Sequence, residues 1–370
     1  MGKKVGILTT NFFSPDGTRM VYGGAERYGL ELTKLLLELG YEVVWWQIGS
    51  GWEKEILPGV KIYTIPETKN EFMTFPNVNQ HFYEQAVEMD YAIYFVTFLA
   101  YPQALEKSIS ISHGIFWDYP GFDRQLATEA DRKEWLRRLH IALSGVQKVV
   151  SVDTNTINWI NATWPGLYHK LEYVPNFVDL GNCRPRAEHP GKVRVIFPRR
   201  LTSVRGVNEA ARAAKVLTAK YPGKVEFHFV GRGHSDRLEA EALKWASENE
   251  NIYYYWQPPH MMQELFRHMD IAIIPTKAAE GTSLSCLEAM AAGCAVIASP
   301  VGGLADIVID GYNGLLVKPT SNNLIEALDY LICNEDERRW LGENAAKVAG
   351  AFSLTRWKQR WQRVISDVFR

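Results

Sequence analysis

Glu280-Gly281-Thr282-Ser283-Leu284-Ser285-Cys286-Leu287-Glu288 is the stretch on which the reading of this chain turns. Its two carboxylates are separated by seven residues. An apolar run at 271–274 ends at Pro275 before it, and Ala289-Met290-Ala291-Ala292-Gly293 leads out of it into a second apolar run. That is the order strand, loop, helix, strand. Thr282 and Ser283 are both residue types that cap helix N-termini, so the loop is predicted to end there and a helix to run over 284–292. The amides around Thr282, Ser283 and Leu284 then lack intrahelical partners, and with the helix dipole they favour an anion such as a diphosphate. Gly281 sits in the same loop. Glu280 falls just outside the helix and Glu288 about one and a half turns inside it, so the two can reach opposite ends of one ligand. The competing reading leaves Glu280 solvated in a loop and Glu288 in a local ion pair.

The same alternation extends in both directions. Downstream of the middle, strands are predicted at 193–197, 225–230, 271–274, 295–298 and 314–317, with helices at 208–220, 239–248, 261–269 and 322–333. Upstream, a strand at 5–10 and a polar loop with Pro15 and Gly17 precede Gly23-Gly24-Ala25-Glu26-Arg27, which opens a helix reaching Leu39. Strands follow at 41–48, 91–99, 109–112 and 149–152. Strands alternating with helices imply parallel pairing in α/β, Rossmann-like, doubly wound sheets. Between the halves, residues 174–191 carry Pro175, Gly181, Pro185, Pro190 and Gly191, the composition of an interdomain linker. The predicted domains are therefore 1–180 and 181–352, followed by an amphipathic helix at 353–370 with Trp357, Trp361, Val364 and Val368 on one face. A ligand belongs in a cleft between the domains, outside the carboxyl ends of the strands.

Composition agrees. A chain of 370 residues, 46% hydrophobic and 22% charged, is expected to form two ordinary globular domains. The net charge is −1, with acids in excess before about residue 180 and bases after it, which suits an anionic small ligand better than nucleic acid. No run of apolar residues is long enough to span a bilayer, and the start reads as a strand, so a cytoplasmic protein is expected. Cys183, Cys286, Cys294 and Cys333 lack metal-ligand spacing and read as buried thiols. Residues 131–140 mix bases with Trp135, Leu136 and Leu139; a solvated helix face is preferred there to a weak peripheral membrane contact, since Glu129, Asp131 and Glu134 dilute the charge.

Further constellations sit at predicted strand ends. Phe197-Pro198-Arg199-Arg200-Leu201-Thr202-Ser203-Val204-Arg205-Gly206 ends a strand with spaced arginines, cations able to neutralise a departing diphosphate. Gly231-Arg232-Gly233 follows the strand 225–230, where a missing Cβ lets a nucleotide approach the backbone, although a plain turn explains it equally well. Gly23 and Gly24 have the same logic. Tyr255 and Trp256 are aromatic candidates for base contact. His113 follows the strand 109–112, and a lone histidine in such a place is more often structural.

On the Glu280-x7-Glu288 pattern and the strand-tip arginines, the chain resembles glycosyltransferase family 4, the glycosyl transferases of group 1, from its first strand to its last helix. The resemblance implies the two-domain GT-B fold, with the two sheets facing a cleft, and a retaining transfer of sugar from a nucleotide sugar to an acceptor. It assigns Glu280 to donor-sugar hydroxyls and Glu288 to the ribose. Arg200 and Arg205 match the family's Gly-Arg-Leu and Lys-Gly positions, with Arg199 in place of the glycine and Arg205 in place of the lysine. Arginine also binds phosphate, with two parallel hydrogen bonds. His113 matches a histidine that contacts the donor sugar, the Gly23-Gly24 loop lies near donor phosphates and acceptor, and the last helix returns to the first domain.

The expected chemistry is metal-independent. Arg200, Arg205 and the helix amides stabilise the leaving diphosphate, no cofactor is needed beyond the nucleotide-diphosphate sugar as substrate, and the acceptor is a glycan, a lipid-linked sugar or a small molecule. A nucleotide-sugar epimerase and a non-catalytic sugar-nucleotide-binding subunit are the rival readings.

Overall fold

The computed structural model describes residues 2–21, 23–67, 74–115, 128–181, 187, 191–233 and 236–370. Loop 117–126, the middle of loop 67–81, and Cys183, Pro185 and Pro190 of the linker lie outside them. The chain forms two compact units, the first built mainly from Met1–Trp117, Gly121–Val174 and Lys358–Arg370, the second mainly from Pro175–Trp357.

The first unit holds an eight-stranded sheet. In chain order its strands are β1 (Lys4–Leu8), β2 (Glu42–Gly49), β3 (Glu53–Leu57), β4 (Val60–Pro66), β5 (Tyr91–Tyr94), β6 (Ser108–Ser112), β7 (Lys148–Ser151) and β8 (Leu171–Tyr173). They lie side by side as β3-β4-β2-β1-β5-β6-β7-β8. Helices α1 (Gly24–Glu38), α2 (Phe75–Gln85), α3 (Glu129–Gly145) and α4 (Thr154–Thr163) intervene. All pairings are parallel except β3 with β4. That hairpin and the edge strand β8 escape a sequence reading because they alternate too briefly, and β3 is charged at three of its five positions. The run read as a strand over 91–99 stops at Tyr94 and turns into a 3-10 segment at Thr97–Ala100.

On α3, Thr128 and Asp131 form a reciprocal cap, and Arg137 and Arg138 both pair with Glu134 at 2.7 and 2.8 Å. Trp135 and Leu139 are buried beneath them. The charges are thus matched along the helix itself. Among the described residues, no helix is long and apolar enough to cross a membrane.

The second unit holds a six-stranded, all-parallel sheet in the order β11-β10-β9-β12-β13-β14. Its strands are β9 (Val193–Phe197), β10 (Val225–Val230), β11 (Ile252–Tyr255), β12 (Ile271–Ile274), β13 (Ala295–Ala298) and β14 (Leu315–Leu316). The helices are α5 (Val207–Lys220), α6 (Asp236–Glu248), α7 (Met262–Phe266), α8 (Leu284–Ala291), α9 (Leu304–Ile307), α10 (Ser321–Cys333) and α11 (Glu335–Ala349), while the last helix, α12 (Leu354–Val368), belongs to the first unit from Lys358 onward. Side chains of a strand alternate between faces. Val195 and Phe197 of β9 and Ile271 and Ile273 of β12 enter one core with Ala213, Leu217 and Leu328. Ile196, Ala272 and Ile274 enter the opposite core with Leu287, Met290 and Ala345. Both faces are covered, which is why these strands read as unbroken apolar runs.

Cys286 and Cys294 are buried free thiols, whereas Cys333 is exposed, with its sulfur 3.0 Å from the Tyr221 hydroxyl. The expectation of buried thiols therefore fails at Cys333, which ends α10 on its outer side.

Candidate active site

In both sheets the strand order reverses beside the first strand of the unit. β2 lies on one side of β1 and β5 on the other, and β10 and β12 flank β9 in the same way. At such a switch point the loops leaving two neighbouring strands diverge, and the crevice between them is where open α/β sheets bind ligands. β12 pairs with β9 at only two positions, Ile271 with Val195 and Ala272 with Ile196. Beyond them the pairing ends, and the chain segments that follow meet through Arg199 and Thr276.

There Glu280 is 7% exposed and Arg199 has only 8% of its side chain exposed. Arg199 Nη2 lies 2.7 Å from Glu280 Oε2, and Arg199 Nη1 donates to Thr276 Oγ1 at 2.7 Å. Thr276 Oγ1 donates in turn to Oε2 at 2.9 Å. Arg205 Nη1 also donates to Oε2, and to the Ala279 carbonyl at 3.1 Å. Burial alone would raise the Glu280 pKa, but the adjacent Arg199 and Arg205 charges and the Thr276 hydroxyl hold it below the ordinary carboxylate range. The carboxylate is thus kept ionised in a nearly dry position. Ala279 stands in the left-handed region at φ 53°, the one non-glycine residue with positive φ among those described. Such a conformation in an alanine is maintained only by the surrounding contacts.

Arg199, read from sequence as a mere departure from a motif, thus lies at the centre of this network, while Arg200 is exposed and pairs with no described residue. Of the five N–H donors of Arg205 only those on Nη1 bond described residues. Adding a Cβ to Gly231 would place it 2.2 Å from the Arg199 carbonyl oxygen. The protein's own backbone therefore requires a glycine at this position.

α8 begins at Leu284 with Ser283 at the N-cap, but neither predicted capping side chain does that work. Thr282 Oγ1 accepts the Asn176 amide at 2.7 Å, and Ser283 Oγ lies 3.2 Å from Ser285 Oγ. Asn176 also donates its side-chain amide to the Thr282 carbonyl. The segment 175–178 thereby clasps the loop that carries Gly281, a tie invisible in sequence because the partners are over a hundred residues apart. The amides of Leu284, Ser285 and Cys286 bond no described residue. Glu288 is the fifth residue of α8, slightly over one turn in, and is 2% exposed. The helix starts at the predicted Leu284, so Glu280 lies before it and Glu288 inside it. The Cys286 thiol, buried beside these charges, is pushed up to about 12 and is inert.

In the first unit, His113 follows β6. Its ring centroid lies 4.7 Å from Phe95, just past β5, and 5.2 Å from Tyr28 of α1 in an edge-on contact. Burial lowers its pKa to about 4, although a bond to the Phe95 backbone opposes this. The imidazole is therefore neutral, and its Nε2 is buried without a partner among the described residues. Gly23 is the extended N-cap of α1 and Gly24 its first residue. Tyr255 bonds His228 through its hydroxyl at 3.1 Å, and exposed Trp256 carries the Arg232 guanidinium 4.7 Å from its ring centroid. Among the described residues no cluster of three or more His, Cys, Asp or Glu could hold a metal.

Residues 184–348, which include Arg199, Arg205, Glu280 and Glu288, match the family model for glycosyl transferases group 1. This segment, a little under half of the chain, is similar to that family. The chain is also similar to a D-inositol 3-phosphate glycosyltransferase of Nocardia farcinica, 30% identical over 201 residues, which are 50% of this chain and 44% of that one. The chain thus spans less than half the length of that relative. Whole-chain likeness is structural. A sucrose-phosphate synthase of Thermosynechococcus elongatus aligns with a TM-score of 0.78 at 18% identity, covering 99% of each chain. An Anabaena protein, HepE, crystallised with UDP-glucose, aligns at 0.72 and 15% identity over 98% of this chain and 99% of its own. The two α/β units, each with its parallel sheet, are those of the GT-B fold.

Proposed function

We propose that the chain moves a sugar from a nucleoside-diphosphate sugar to an acceptor hydroxyl in the cytoplasm, with retention at the anomeric carbon and without a metal ion. The observation that carries this reading is the Glu280 carboxylate, ionised and almost buried, placed just before an α8 N-terminus whose first three amides bond no described residue. One loop thereby presents acceptors for sugar hydroxyls and donors for a diphosphate.

In this reading Glu280 takes hydroxyls of the donor sugar and Glu288 those of the ribose. The amides along Gly281, Thr282, Ser283 and Leu284, the free donors of Arg205 and the exposed Arg200 stabilise charge gathering on the departing diphosphate. The glycine at 231 keeps Arg199 and Arg200 in place. In the first unit, His113 offers a neutral imidazole to the donor sugar through Nε2, and the Gly23-Gly24 start of α1 serves phosphates and acceptor. The UDP-glucose bound by HepE and the group 1 segment support a nucleotide-sugar donor. A glycan, a lipid-linked sugar or a small molecule is the acceptor, and the name of the Nocardia relative puts polyol phosphates on the panel.

The test incubates purified protein with a panel of nucleotide sugars, with and without acceptors. Acceptor-dependent release of nucleotide supports the proposal, an isomerised donor would make the protein an epimerase, and binding without turnover would make it a sugar-nucleotide-binding subunit. Turnover is expected to persist in excess EDTA. Loss of turnover restored by Mg²⁺ or Mn²⁺ would overturn the metal-free mechanism.

A further inference from the structure

Arg199 is the residue by which this chain departs from the pattern of its strand-tip motif, and it is the one with the most specific geometry. Among the described residues every donor to the Glu280 carboxylate meets Oε2: Arg199 Nη2 at 2.7 Å, Thr276 Oγ1 at 2.9 Å and Arg205 Nη1. Oε1 receives no donor from any described residue. The two guanidiniums are not equivalent. Arg199 forms a closed triangle, because its second amino group fixes the Thr276 hydroxyl, which then has to point its proton at Oε2. The Arg205 guanidinium reaches Oε2 with the same Nη1 that serves the Ala279 carbonyl. Neither end of the Arg199–Glu280 pair can drift. A Cβ on Gly231 would meet the Arg199 carbonyl oxygen at 2.2 Å, and one on Gly302 would meet the Glu280 carbonyl oxygen at 1.9 Å. Both backbones are therefore wedged against neighbouring turns.

We propose that Arg199 is a positioning residue that turns Glu280 into a one-sided acceptor, committing Oε2 to the protein and presenting Oε1 alone, in one direction, to a donor-sugar hydroxyl. This rests on the assignment of Glu280 to the donor sugar. A carboxylate free to rotate can accept from hydroxyls of either configuration; one held by a planar fork accepts along fixed lone pairs. Arg199 thus sets which epimer of the donor sugar is accepted, without touching the sugar itself. Lysine cannot replace it, because a single ammonium cannot hold Oε2 and Thr276 Oγ1 together in a plane.

The test uses the full chain, with UDP, UDP-glucose and UDP-galactose as probes, the last two differing at one sugar hydroxyl. Calorimetry on the unaltered protein is expected to show a preference between the two sugars of at least tenfold. Arg199→Lys and Arg199→Gln should each shrink that preference at least fivefold while the affinity for UDP stays within a factor of two. Equal binding of the two sugars by the unaltered protein, or an undiminished preference in folded Arg199→Lys, would overturn the proposal. Glu280→Gln separates the levels: if it leaves sugar binding unchanged, the donor-sugar assignment of Glu280 falls and the proposal with it; if it abolishes the preference while Arg199→Lys does not, only the role of Arg199 falls. A measurement on the unaltered protein needs no variant to fold. Carbon-13 NMR of labelled glutamates should show one buried carboxylate ionised well below the ordinary range, absent from Glu280→Gln. If the Glu280 resonance titrates in the ordinary range, Oε2 is not held and the proposal is wrong.

Discussion

Trp361 Nε1 donates to Tyr28 Oη at 2.8 Å, and neither side chain has any exposed surface. Trp361 belongs to α12 and Tyr28 to α1, so residues 333 positions apart share one buried bond inside the first unit. The Tyr28 ring then stands edge-on to His113 at 5.2 Å and 89°. Phe369 stacks on Tyr91 at 4.2 Å, and Lys358 pairs with Glu38 at 2.6 Å, so the chain's last residues are joined to β5 and α1 along their length. The first unit is incomplete without them.

Trp361→Phe keeps most of the apolar volume but leaves the Tyr28 hydroxyl without its donor, and should cost about 1 to 3 kcal/mol. Trp361→Ala should cost about 3 to 5 kcal/mol by opening a cavity. Urea unfolding followed by fluorescence of the remaining tryptophans checks both. If Trp361→Phe and Tyr28→Phe each cost nothing, the bond is not made in solution.

His113 supplies a pH dependence with a definite direction. Its folded pKa of about 4 lies below the ordinary 6.5, so folding favours the neutral ring. The stabilisation is complete above pH 6.5 and is lost progressively as pH falls toward 4, because only the unfolded chain binds the proton over that window. The whole difference is on the order of 3 kcal/mol. His113→Asn should narrow the gap between urea midpoints at pH 7 and pH 4.5; an unchanged gap would show that the imidazole is not buried neutral.

Gly231→Ala and Gly302→Ala should each destabilise the second unit by at least ~2 kcal/mol, since the new methyl would meet a carbonyl oxygen at 2.2 and 1.9 Å. Gly350→Ala is the control, with nothing within 4 Å of the added carbon. Its thermal midpoint should equal or slightly exceed that of the parent. Equal midpoints for all three would mean that the turns at 231 and 302 give way freely.

Glu288→Ala should weaken binding of the donor nucleotide by about 1.5 to 3 kcal/mol, the value of a charge-assisted hydrogen bond. Calorimetry with UDP and with the donor identified by the panel checks this. Unchanged affinity for both would remove Glu288 from the ribose.

Much was legible because the signals are local. β9, β10, β12 and β13 fall where their apolar runs predict them, since a strand covered on both faces needs nothing but continuous small and branched apolar residues. The Glu280–Glu288 spacing across the start of a helix was likewise readable, because a helix is set by its own first turn. Where the pattern was short or charged, as in β3, or where a helix such as α11 is polar over most of its surface, periodicity was too weak to declare the element.

What sequence determined, then, is the alternation of strand and helix, and with it the residues that arrive at strand tips. Which tips become neighbours was decided by the tertiary structure alone. β9 and β12 are separated by more than seventy residues, yet their pairing brings Arg199 and Glu280 within 2.7 Å and makes a buried acceptor out of two residues that look, in sequence, like an irregular motif and an exposed loop. The physical reason is that a charge is stable in a dry position only with its partner already there, and that partner is supplied by the order of strands in the sheet, which no local pattern encodes.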